Sequence, residues 1–364
     1  MARLHSLFLK PSLQCTARCV HCERRREFYD KRKGPPLTID HYRSIIAEAR
    51  SLGAASLHLS GGEPTLYRHL AELVSEGSRA GMFTILNTNG SLLTRDSAKE
   101  LLEAGLRSVN ISIHSHVKSR HDDVRGREGN FDEVVSAVGI FRELRDSSFP
   151  GFILSTQTIV TKSNFMELAD IIDLVCSLDV DAHGLSYLEG DFDLERSPDG
   201  EDVETLRSTV IPEVVSRLAR FKFKNPILKR AAMKVVSRLY GGSPETRRRM
   251  SRGAYRRVNG PVNCREPNGF AMVLAEGSVL PCNMVEYTDG PILGNVFEEK
   301  LGSIMRSDAW KNFARTGYEY CVQCPLELHF HIPLSISLRK LLPLAFANPA
   351  FEQKSILKRA REGM

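Results

Sequence analysis

The sequence predicts an α/β fold in which six βα units form an open, partial barrel, followed by a small C-terminal α+β module. Short apolar runs alternate with longer helical patterns from residue 5 to about residue 190, which is typical of βα units with a parallel sheet. From Asn263 the chain changes to short strands punctuated by glycine and proline and carrying cysteines, which indicates the second module.

The elements of the barrel follow in order along the chain. The expected strands cover residues 5–9, 56–59, 83–87, 108–113, 152–160 and 183–187, and the expected helices lie near residues 39–52, 69–80, 95–104, 131–145 and 164–178. Thr38, Thr94 and Asn130 stand at the starts of helical patterns, where their side chains suit helix capping. Active sites in such sheets lie outside the carboxyl ends of the strands, so the loops after the strands are the expected functional region.

The chain divides into four expected segments. Residues 1–200 form the barrel core, residues 201–258 a basic helical connector, residues 259–328 the cysteine-carrying module, and residues 329–364 a basic amphipathic tail. A polar loop at residues 191–201 ends the βα repeat. A hairpin of residues 270–274 and 278–280, just before Cys282, is the clearest piece of the second module.

Composition restricts the class of protein. The 364 residues are 42% hydrophobic and 26% charged with a net charge of +6, and no stretch approaches the roughly 20 apolar residues that a membrane-spanning helix needs. The N-terminal residues lack the apolar run and cleavage site of a secretory signal. We therefore expect a cytoplasmic protein with reduced cysteines, whose clusters are better explained as metal ligands than as disulfides.

Two segments carry an excess of positive charge. Residues 219–257 contain 13 lysines and arginines against one acid, Glu245, which suits a phosphorylated substrate or nucleic acid, or is simply a solvated helical surface. The tail at 328–364 is basic and amphipathic, and it either docks on the protein itself or makes peripheral contact with an anionic membrane.

Three cysteines, Cys15, Cys19 and Cys22, follow the first strand with the spacing C-x3-C-x2-C. Structural zinc sites and electron-transfer clusters normally use four protein ligands, so three thiols in eight residues predict a metal centre with one open position. A structural zinc site with a distant fourth ligand is the alternative. The isolated Cys176 is interpreted as a buried small hydrophobe on a helix.

This thiol spacing, with the segments at the ends of later strands, resembles the radical S-adenosylmethionine (AdoMet) superfamily of TIM-like barrels. The resemblance implies a 4Fe-4S cluster on Cys15, Cys19 and Cys22, whose open iron chelates AdoMet. It further implies AdoMet contacts at Gly61, Gly62, Glu63, Asn89, Ser112, Arg125 and Glu189. His21 stands before the third cysteine, where the family usually has an aromatic residue, and His21 and His114 are interpreted as packing or supporting residues.

A second set of cysteines, Cys264, Cys282, Cys321 and Cys324, lies in the C-terminal module. Four thiolates complete either a zinc site or a 4Fe-4S cluster, so spacing alone leaves both open. The hairpin before Cys282 and the later C-x2-C resemble the SPASM/Twitch extension of the same superfamily. In its shorter Twitch form, this extension implies one auxiliary 4Fe-4S cluster.

The resemblance implies an oxidoreductase that cleaves AdoMet to a 5'-deoxyadenosyl radical, abstracts a substrate hydrogen and passes an electron to the auxiliary cluster. The short segment before Cys15 leaves no room for a leader-peptide domain, so the expected substrate is a small molecule, phosphorylated or sugar-like. A reductant such as flavodoxin or ferredoxin is implied, and no residue stands out as the catalytic base. Open alternatives are a peptide- or RNA-modifying enzyme, an epimerase, a C–C bond-forming enzyme and a non-catalytic zinc module.

Overall fold

The chain is described by a computed structural model over residues 4–187, 196–198, 200–221, 223, 229–230, 232–233, 236, 269–283, 285–288, 290–316 and 330–334. The first six strands are β1 Ser6–Ser12, β2 Ser56–Gly61, β3 Phe83–Thr88, β4 Ser108–Ser112, β5 Ile153–Val160 and β6 Ala182–Tyr187. Four more are β7 Phe270–Leu274, β8 Ser278–Leu280, β9 Gly294–Asn295 and β10 Phe330–Pro333. All six strands expected for the barrel are present, with bounds that differ by one to three residues.

Helices alternate with these strands. The barrel helices are α1 Glu23–Asp30, α2 Ile39–Ser51, α3 Leu70–Arg79, α4 Arg95–Glu103, α5 Lys118–Arg125, α6 Asn130–Ser147 and α7 Leu168–Ser177. The later helices are α8 Gly200–Thr205, continued by a π-helical turn Leu206–Val210 into α9 Ile211–Arg220, then α10 Val285–Thr288, α11 Leu301–Arg306 and α12 Asp308–Thr316. Thr38 and Thr94 cap α2 and α4 as expected, each accepting from the backbone N–H three residues on.

One sheet connects the described strands in the order β10-β6-β5-β4-β3-β2-β1-β7-β8-β9. The pairs from β1 to β6 are parallel, as the βα pattern predicts, and β7 also pairs in parallel with β1, with Ser6 opposite Phe270. The hairpin β7–β8 confirms the prediction from sequence. The strands near Cys282 therefore extend the barrel's own sheet at the free edge of β1.

The two faces of the sheet differ because side chains alternate along each strand. One face packs against the helices in a large apolar core that includes Leu7, Leu57, Leu86, Val109 and Leu154. The opposite face of β1 and β7 forms a second apolar cluster with Phe28, Tyr29, Met272, Cys282 and Phe313. The second cluster joins α1 to the C-terminal strands, so the cysteine loop after β1 and the Cys282 segment share one packed interior.

Two helices of the barrel, α1 and α5, were not expected from the sequence. Both are eight residues long and rich in charge, so they show little apolar periodicity. Over the residues the structure describes, no helix is both long and apolar enough to cross a bilayer. The basic stretch lies mostly outside the described residues, as does the tail except for Phe330–Leu334, where Leu334 is buried. The four domain boundaries stay a prediction.

Candidate active site

The three-cysteine loop runs from the end of β1 to the start of α1 through a 3-10 turn, Val20–Cys22. The ligand atoms of Cys19, His21 and Cys22 lie within 4.8 Å of one another, and Cys15 interacts electrostatically with Cys19. A hydrogen bond from Cys19 lowers the pKa of Cys22 and raises that of Cys19, so one thiol of the pair holds the proton for both. Converging thiols with mutually perturbed pKa values fit a metal centre.

The donor set fits the expected cluster. A 4Fe-4S cluster of this kind needs three thiolates and leaves one iron without a protein ligand. The loop supplies Cys19 and Cys22 close together, and Cys15 lies within electrostatic range of Cys19. The buried His21 ring adds a nitrogen to the group: a hydrogen bond with His21 lowers the pKa of Cys22, and Nδ1 is buried without a hydrogen-bond partner among the described residues. The ring also meets His114 edge-on at 4.9 Å. His21 thus lies beside the Cys19 and Cys22 thiols, and its role as a packing or supporting residue stays a prediction.

Gly61 and Gly62 hold the cysteine loop against the end of β2. Two backbone hydrogen bonds join this turn to the chain that leads into the cysteine loop. The Gly62 N–H donates to the Ser12 carbonyl (2.9 Å), and the Glu63 N–H donates to the Gln14 carbonyl (2.7 Å). A Cβ at Gly61 would lie 2.4 Å from the Ser12 oxygen, and one at Gly62 would lie 2.1 Å from the Gln14 oxygen. Only glycine permits this approach of the two backbones.

Glu63 is fully buried and ties together the loops after β2 and β3. Its Oε1 accepts from the backbone N–H (3.1 Å) and hydroxyl (2.7 Å) of Thr65 and from the Thr88 hydroxyl (2.7 Å), and its Oε2 accepts from the Asn89 N–H (2.8 Å). A carboxylate has about four lone-pair positions, so these protein donors occupy most of its capacity. These hydrogen bonds show that Glu63 fixes the loops after β2 and β3 relative to each other.

Asn89 connects the loop after β3 to the cysteine loop. Its Nδ2 donates to Thr16 Oγ1 at 2.9 Å and lies 3.6 Å from Cys15 Sγ, while its Oδ1 accepts from the Ser91 N–H at 2.9 Å. Ser112 is the last residue of β4, half-buried, and pairs across the sheet with Gln157. Both residues thus lie at the carboxyl ends of neighbouring strands, as the sequence predicts.

Arg125 ends α5 beside the thiols. Its guanidinium is buried, donates from Nε to Asn130 Oδ1 at 3.2 Å, and acts electrostatically on Cys15 and Cys19. Its backbone carbonyl accepts from the Arg18 N–H at 2.9 Å, which joins α5 to the cysteine loop. A buried guanidinium beside these thiols would bind an anionic group of a ligand held there.

Among the residues that hold Arg125 in place, sequence reasoning gave His114 a packing or supporting role and missed His121 and Asn130. His114 Nε2 lies 3.3 Å from Arg125 Nη1, and His121 accepts from the His114 N–H at 3.2 Å and contacts Asn130 at 3.2 Å. Burial lowers the pKa of His121 to about 4 and holds the pKa of His114 well below its usual range, so both are neutral near pH 7. The four-residue spacing of His121 and Arg125 on one helix is the available signal.

The inner face of the barrel carries a row of uncharged polar side chains. Asn110 Nδ2 donates to Gln157 Oε1 at 2.5 Å and to Asn87 Oδ1 at 3.3 Å, and Gln157 Nε2 donates to Ser186 Oγ at 2.8 Å. This row spans β3 to β6 on the side of the sheet away from the helices. We name it the amide row, and it offers donors and acceptors without a formal charge.

The second set of cysteines is represented in the structure by Cys282. Its side chain is buried after β8, in the apolar cluster with Phe28 and Met272. Cys264, Cys321 and Cys324, together with Glu189, lie outside the described residues. Their proposed convergence on one auxiliary site therefore stays a prediction.

Comparisons with known proteins agree with this geometry. A family model described as the radical SAM superfamily matches residues 9–175, and a model described as an iron-sulfur cluster-binding domain, SPASM, matches residues 264–325. An AdoMet-dependent heme synthase of Methanosarcina barkeri is 27% identical over 316 residues, which are 82% of this chain and 79% of that protein. A PqqA peptide cyclase of Bradyrhizobium diazoefficiens is 32% identical over 176 residues, which are 48% of this chain and 44% of the cyclase.

Solved structures share the fold. SuiB of Streptococcus suis bound to its precursor peptide SuiA has a TM-score of 0.63 at 17% identity, covering 87% of this chain and 67% of SuiB. Native anSMEcpe with bound AdoMet has a TM-score of 0.60 at 19% identity, covering 85% of this chain and 82% of anSMEcpe. The family matches make a 4Fe-4S cluster, AdoMet and a second iron-sulfur cluster the cofactors of this protein. With its three-cysteine loop at the head of a parallel α/β barrel, this chain carries a radical SAM domain over residues 9–175 and a SPASM iron-sulfur cluster-binding domain over residues 264–325.

Proposed function

We propose that this radical SAM enzyme is an oxidoreductase that removes a hydrogen atom, an electron and a proton from a polar substrate bound against the amide row. The bound cofactors supply a reducing electron, the 5'-deoxyadenosyl radical that takes the hydrogen atom, and an acceptor for the electron left on the substrate. The observation that carries the proposal is the placement of Cys15, Cys19 and Cys22 on one loop, with the ligand atoms of Cys19 and Cys22 within 4.8 Å of each other and the buried Arg125 acting electrostatically on Cys15 and Cys19. We assign the first cluster to these three thiols and the second to Cys264, Cys282, Cys321 and Cys324.

The chain's own residues orient AdoMet in this proposal. The proposed contacts are Gly61, Gly62, Glu63, Asn89, Ser112, Arg125 and Glu189. The buried Arg125 guanidinium suits the AdoMet carboxylate, since planar guanidinium groups bind carboxylates through paired hydrogen bonds. Because Glu63 already accepts four protein hydrogen bonds, the glycine-turn backbone next to it is the more available partner for the AdoMet ammonium group.

The amide row supports a substrate with hydroxyl, carbonyl or amide groups. Asn110 and Gln157 are partly exposed and fixed by hydrogen bonds to their neighbours, so they present preorganised donors and acceptors. A small sugar-like molecule has groups of this kind. The proton released on oxidation needs a base, and none of the described residues is assigned that role.

A phosphate group on the substrate is a separate part of the proposal, supported by the charge of residues 219–257. Replacing Arg247, Arg248 and Arg249 by alanine should weaken binding of a phosphorylated substrate and spare its unphosphorylated form. Equal loss for both forms, or loss for neither, would contradict a phosphate-binding role.

The central experiment is anaerobic reconstitution with iron, sulfide and AdoMet. Wild-type protein should bind about eight irons per chain, four for each cubane cluster, and release 5'-deoxyadenosine on reduction. The triple variant Cys15→Ala, Cys19→Ala and Cys22→Ala should bind about half the iron and release none. Cys176→Ala, which changes a half-buried thiol on α7, is the matched control and should behave as wild type. Colourless, zinc-loaded protein would instead support the non-catalytic module.

Modification of a peptide is a second candidate, and the similarity to PqqA peptide cyclases favours it. The substrate panel should therefore contain peptides and, because of the heme synthase relative, iron porphyrins, beside small polyhydroxylated molecules. Mass spectrometry in D2O separates the outcomes. A loss of two hydrogens from a small molecule supports oxidation, and uptake of one deuterium without another mass change supports epimerisation. A loss of two hydrogens from a peptide, with fragment ions that show two residues joined, supports the second candidate.

A further inference from the structure

A buried set of charged and polar side chains lies between the two cysteine segments. Lys10 on β1 contacts both carboxylate oxygens of Glu286 and donates to Tyr29 Oη at 3.0 Å. Tyr29 in turn donates to Glu286 Oε1 at 2.9 Å, and Arg25 forms an ion pair with Glu286 Oε2 at 3.2 Å. Lys10, Tyr29 and Glu286 are each at most 5% exposed, so water contributes little to balancing these charges.

The four residues come from both halves of the protein. Arg25 and Tyr29 are on α1, the helix that starts directly after Cys22, and Glu286 is on α10, four residues after Cys282. Arg25 also lies over the Tyr287 ring at 4.7 Å. The contacts of Arg25 therefore run from the cysteine loop to the Cys282 segment.

This buried network of charges is not explained by a gain in the stability of the fold. Burying a lysine and a glutamate costs desolvation free energy that apolar side chains of similar size would not incur. Lys10 and Arg25 both face the Glu286 carboxylate. Within the network, Arg25 is the cation on α1, one helical turn after Cys22, which is the N-cap residue of that helix.

We propose that Arg25 is a positioning residue that links the reduction potential of the first cluster to the docking of the Cys282 segment on α1. The inference rests on the assignment of that cluster to Cys15, Cys19 and Cys22 under the proposed function. Reduction adds a negative charge to the cluster, and the Arg25 cation favours the reduced form. Glu286 offsets part of that cation's field, so the position of α10 sets how much of it reaches the cluster.

The test measures the reduction potential of the first cluster in the fully reconstituted protein without substrate. AdoMet identifies this cluster, because binding at the open iron changes its electron paramagnetic resonance signal. Arg25→Gln should lower the potential by at least a tenfold change in the reduction equilibrium, about 59 mV for one electron. Arg25→Lys, which keeps the charge, should stay closer to wild type. Lys31→Gln removes a charge from the exposed end of the same helix and should leave the potential unchanged.

Glu286→Gln should shift the reduction potential of the first cluster in the opposite direction. Removing the carboxylate takes away the negative charge that lies 3.2 Å from Arg25, so the potential should rise.

Three results overturn the inference. The first is an unchanged reduction potential in Arg25→Gln. The second is an equal shift of the potential in Arg25→Lys and Arg25→Gln. The third is a shift of the potential in the same direction in Arg25→Gln and Glu286→Gln, which would indicate that both substitutions merely loosen the structure around the cluster. Should Glu286→Gln fail to fold, the two Arg25 variants decide alone. Absence of any AdoMet-sensitive signal in the wild type would overturn the proposed function itself, whereas a normal signal without these shifts overturns the inference only.

Discussion

Gly61 and Gly62 act at the scale of single residues by letting two backbones touch. The carbonyls of Ser12 and Gln14 fill the space that a side chain would need, and the same carbonyls accept the hydrogen bonds that fix the cysteine loop. The sequence alone identifies these glycines through the Gly-Gly-Glu-Pro segment. It assigns them to AdoMet, whereas the structure adds that they support the metal-binding loop.

Gly62→Ala should therefore displace the first metal site. A Cβ at 2.1 Å from a backbone oxygen forces the two loops apart, at a cost of about 1–3 kcal/mol in the free energy of unfolding. We expect the reconstituted variant to lose the AdoMet-sensitive cluster signal while keeping the second cluster. Gly139→Ala, inside α6 with nothing within 4 Å of its Cβ, is the control and should be neutral or slightly stabilising. Normal iron content in Gly62→Ala would contradict the steric argument.

Buried histidines make the free energy of unfolding depend on pH. Burial lowers the pKa of His58, which stacks on Phe8 at 4.0 Å, to about 3, and that of His121 to about 4. Between about pH 6.5 and pH 4 the unfolded chain therefore takes up protons that the folded chain does not. The free energy of unfolding should fall with falling pH across this window, by up to about 1.4 kcal/mol per pH unit for each such histidine.

His58→Phe keeps the stacked ring but removes the titrating group. The dependence of the free energy of unfolding on pH should therefore become shallower by the contribution of one histidine. The measurement is urea unfolding of the apoprotein under anaerobic conditions at several pH values from 4.5 to 7. His69→Gln changes a partly exposed histidine paired with Glu72 and should leave the slope nearly unchanged. An identical slope in His58→Phe and the wild type would contradict the neutral, buried state of His58.

Individual helices are positioned by contacts from distant elements. Glu48 on α2 accepts from the N–H groups of Leu301 and Gly302, each at 3.0 Å, and so caps α11 from another part of the chain. No local pattern before residue 301 indicates this cap, because the capping side chain is about 250 residues away. In contrast, Thr38 and Thr94 cap their own helices and were predicted from the sequence.

Glu48→Ala should loosen α11 from the barrel. Loss of a carboxylate that satisfies two N–H groups at a helix N-terminus should lower the free energy of unfolding by about 1–2 kcal/mol. Chemical denaturation measures this loss, with Glu103→Ala as the control. Glu103 is exposed and paired with Lys99 at 3.5 Å, so its replacement should cost less than about 0.5 kcal/mol. Equal effects of the two substitutions would mean that the cap contributes nothing.

At the scale of the whole molecule, the order of the first six strands follows from the sequence and the place of β7 does not. Right-handed βα units pair neighbouring strands, so the order β1 to β6 could be predicted from alternation alone. The pairing of β7 with β1 joins residues about 264 positions apart, and the alternating pattern of the hairpin is compatible with a separate sheet. Likewise α1 and α5 carry site residues but too few apolar positions for recognition.

Cys282→Ala should uncouple AdoMet cleavage from oxidation of the substrate. Its buried position after β8 makes it a candidate ligand of the second cluster, so the variant should bind about half the iron of the wild type. Cleavage of AdoMet should continue, because the first three thiols are intact, while oxidised product should disappear. Counting 5'-deoxyadenosine against product measures this uncoupling, with Cys176→Ala as the control. Full product formation in Cys282→Ala would contradict the electron-acceptor role of the second cluster.

The parallel pairing of β7 with β1 also has a practical consequence for dissecting the protein. A fragment that ends before Phe270 would leave the backbone N–H and C=O groups along that side of β1 without their partners, next to the apolar side chains of Phe8 and Phe28. Exposed strand edges of this kind recruit other chains. The barrel expressed on its own should consequently self-associate, and crystallisation or spectroscopy of the first metal site calls for the chain through at least β9.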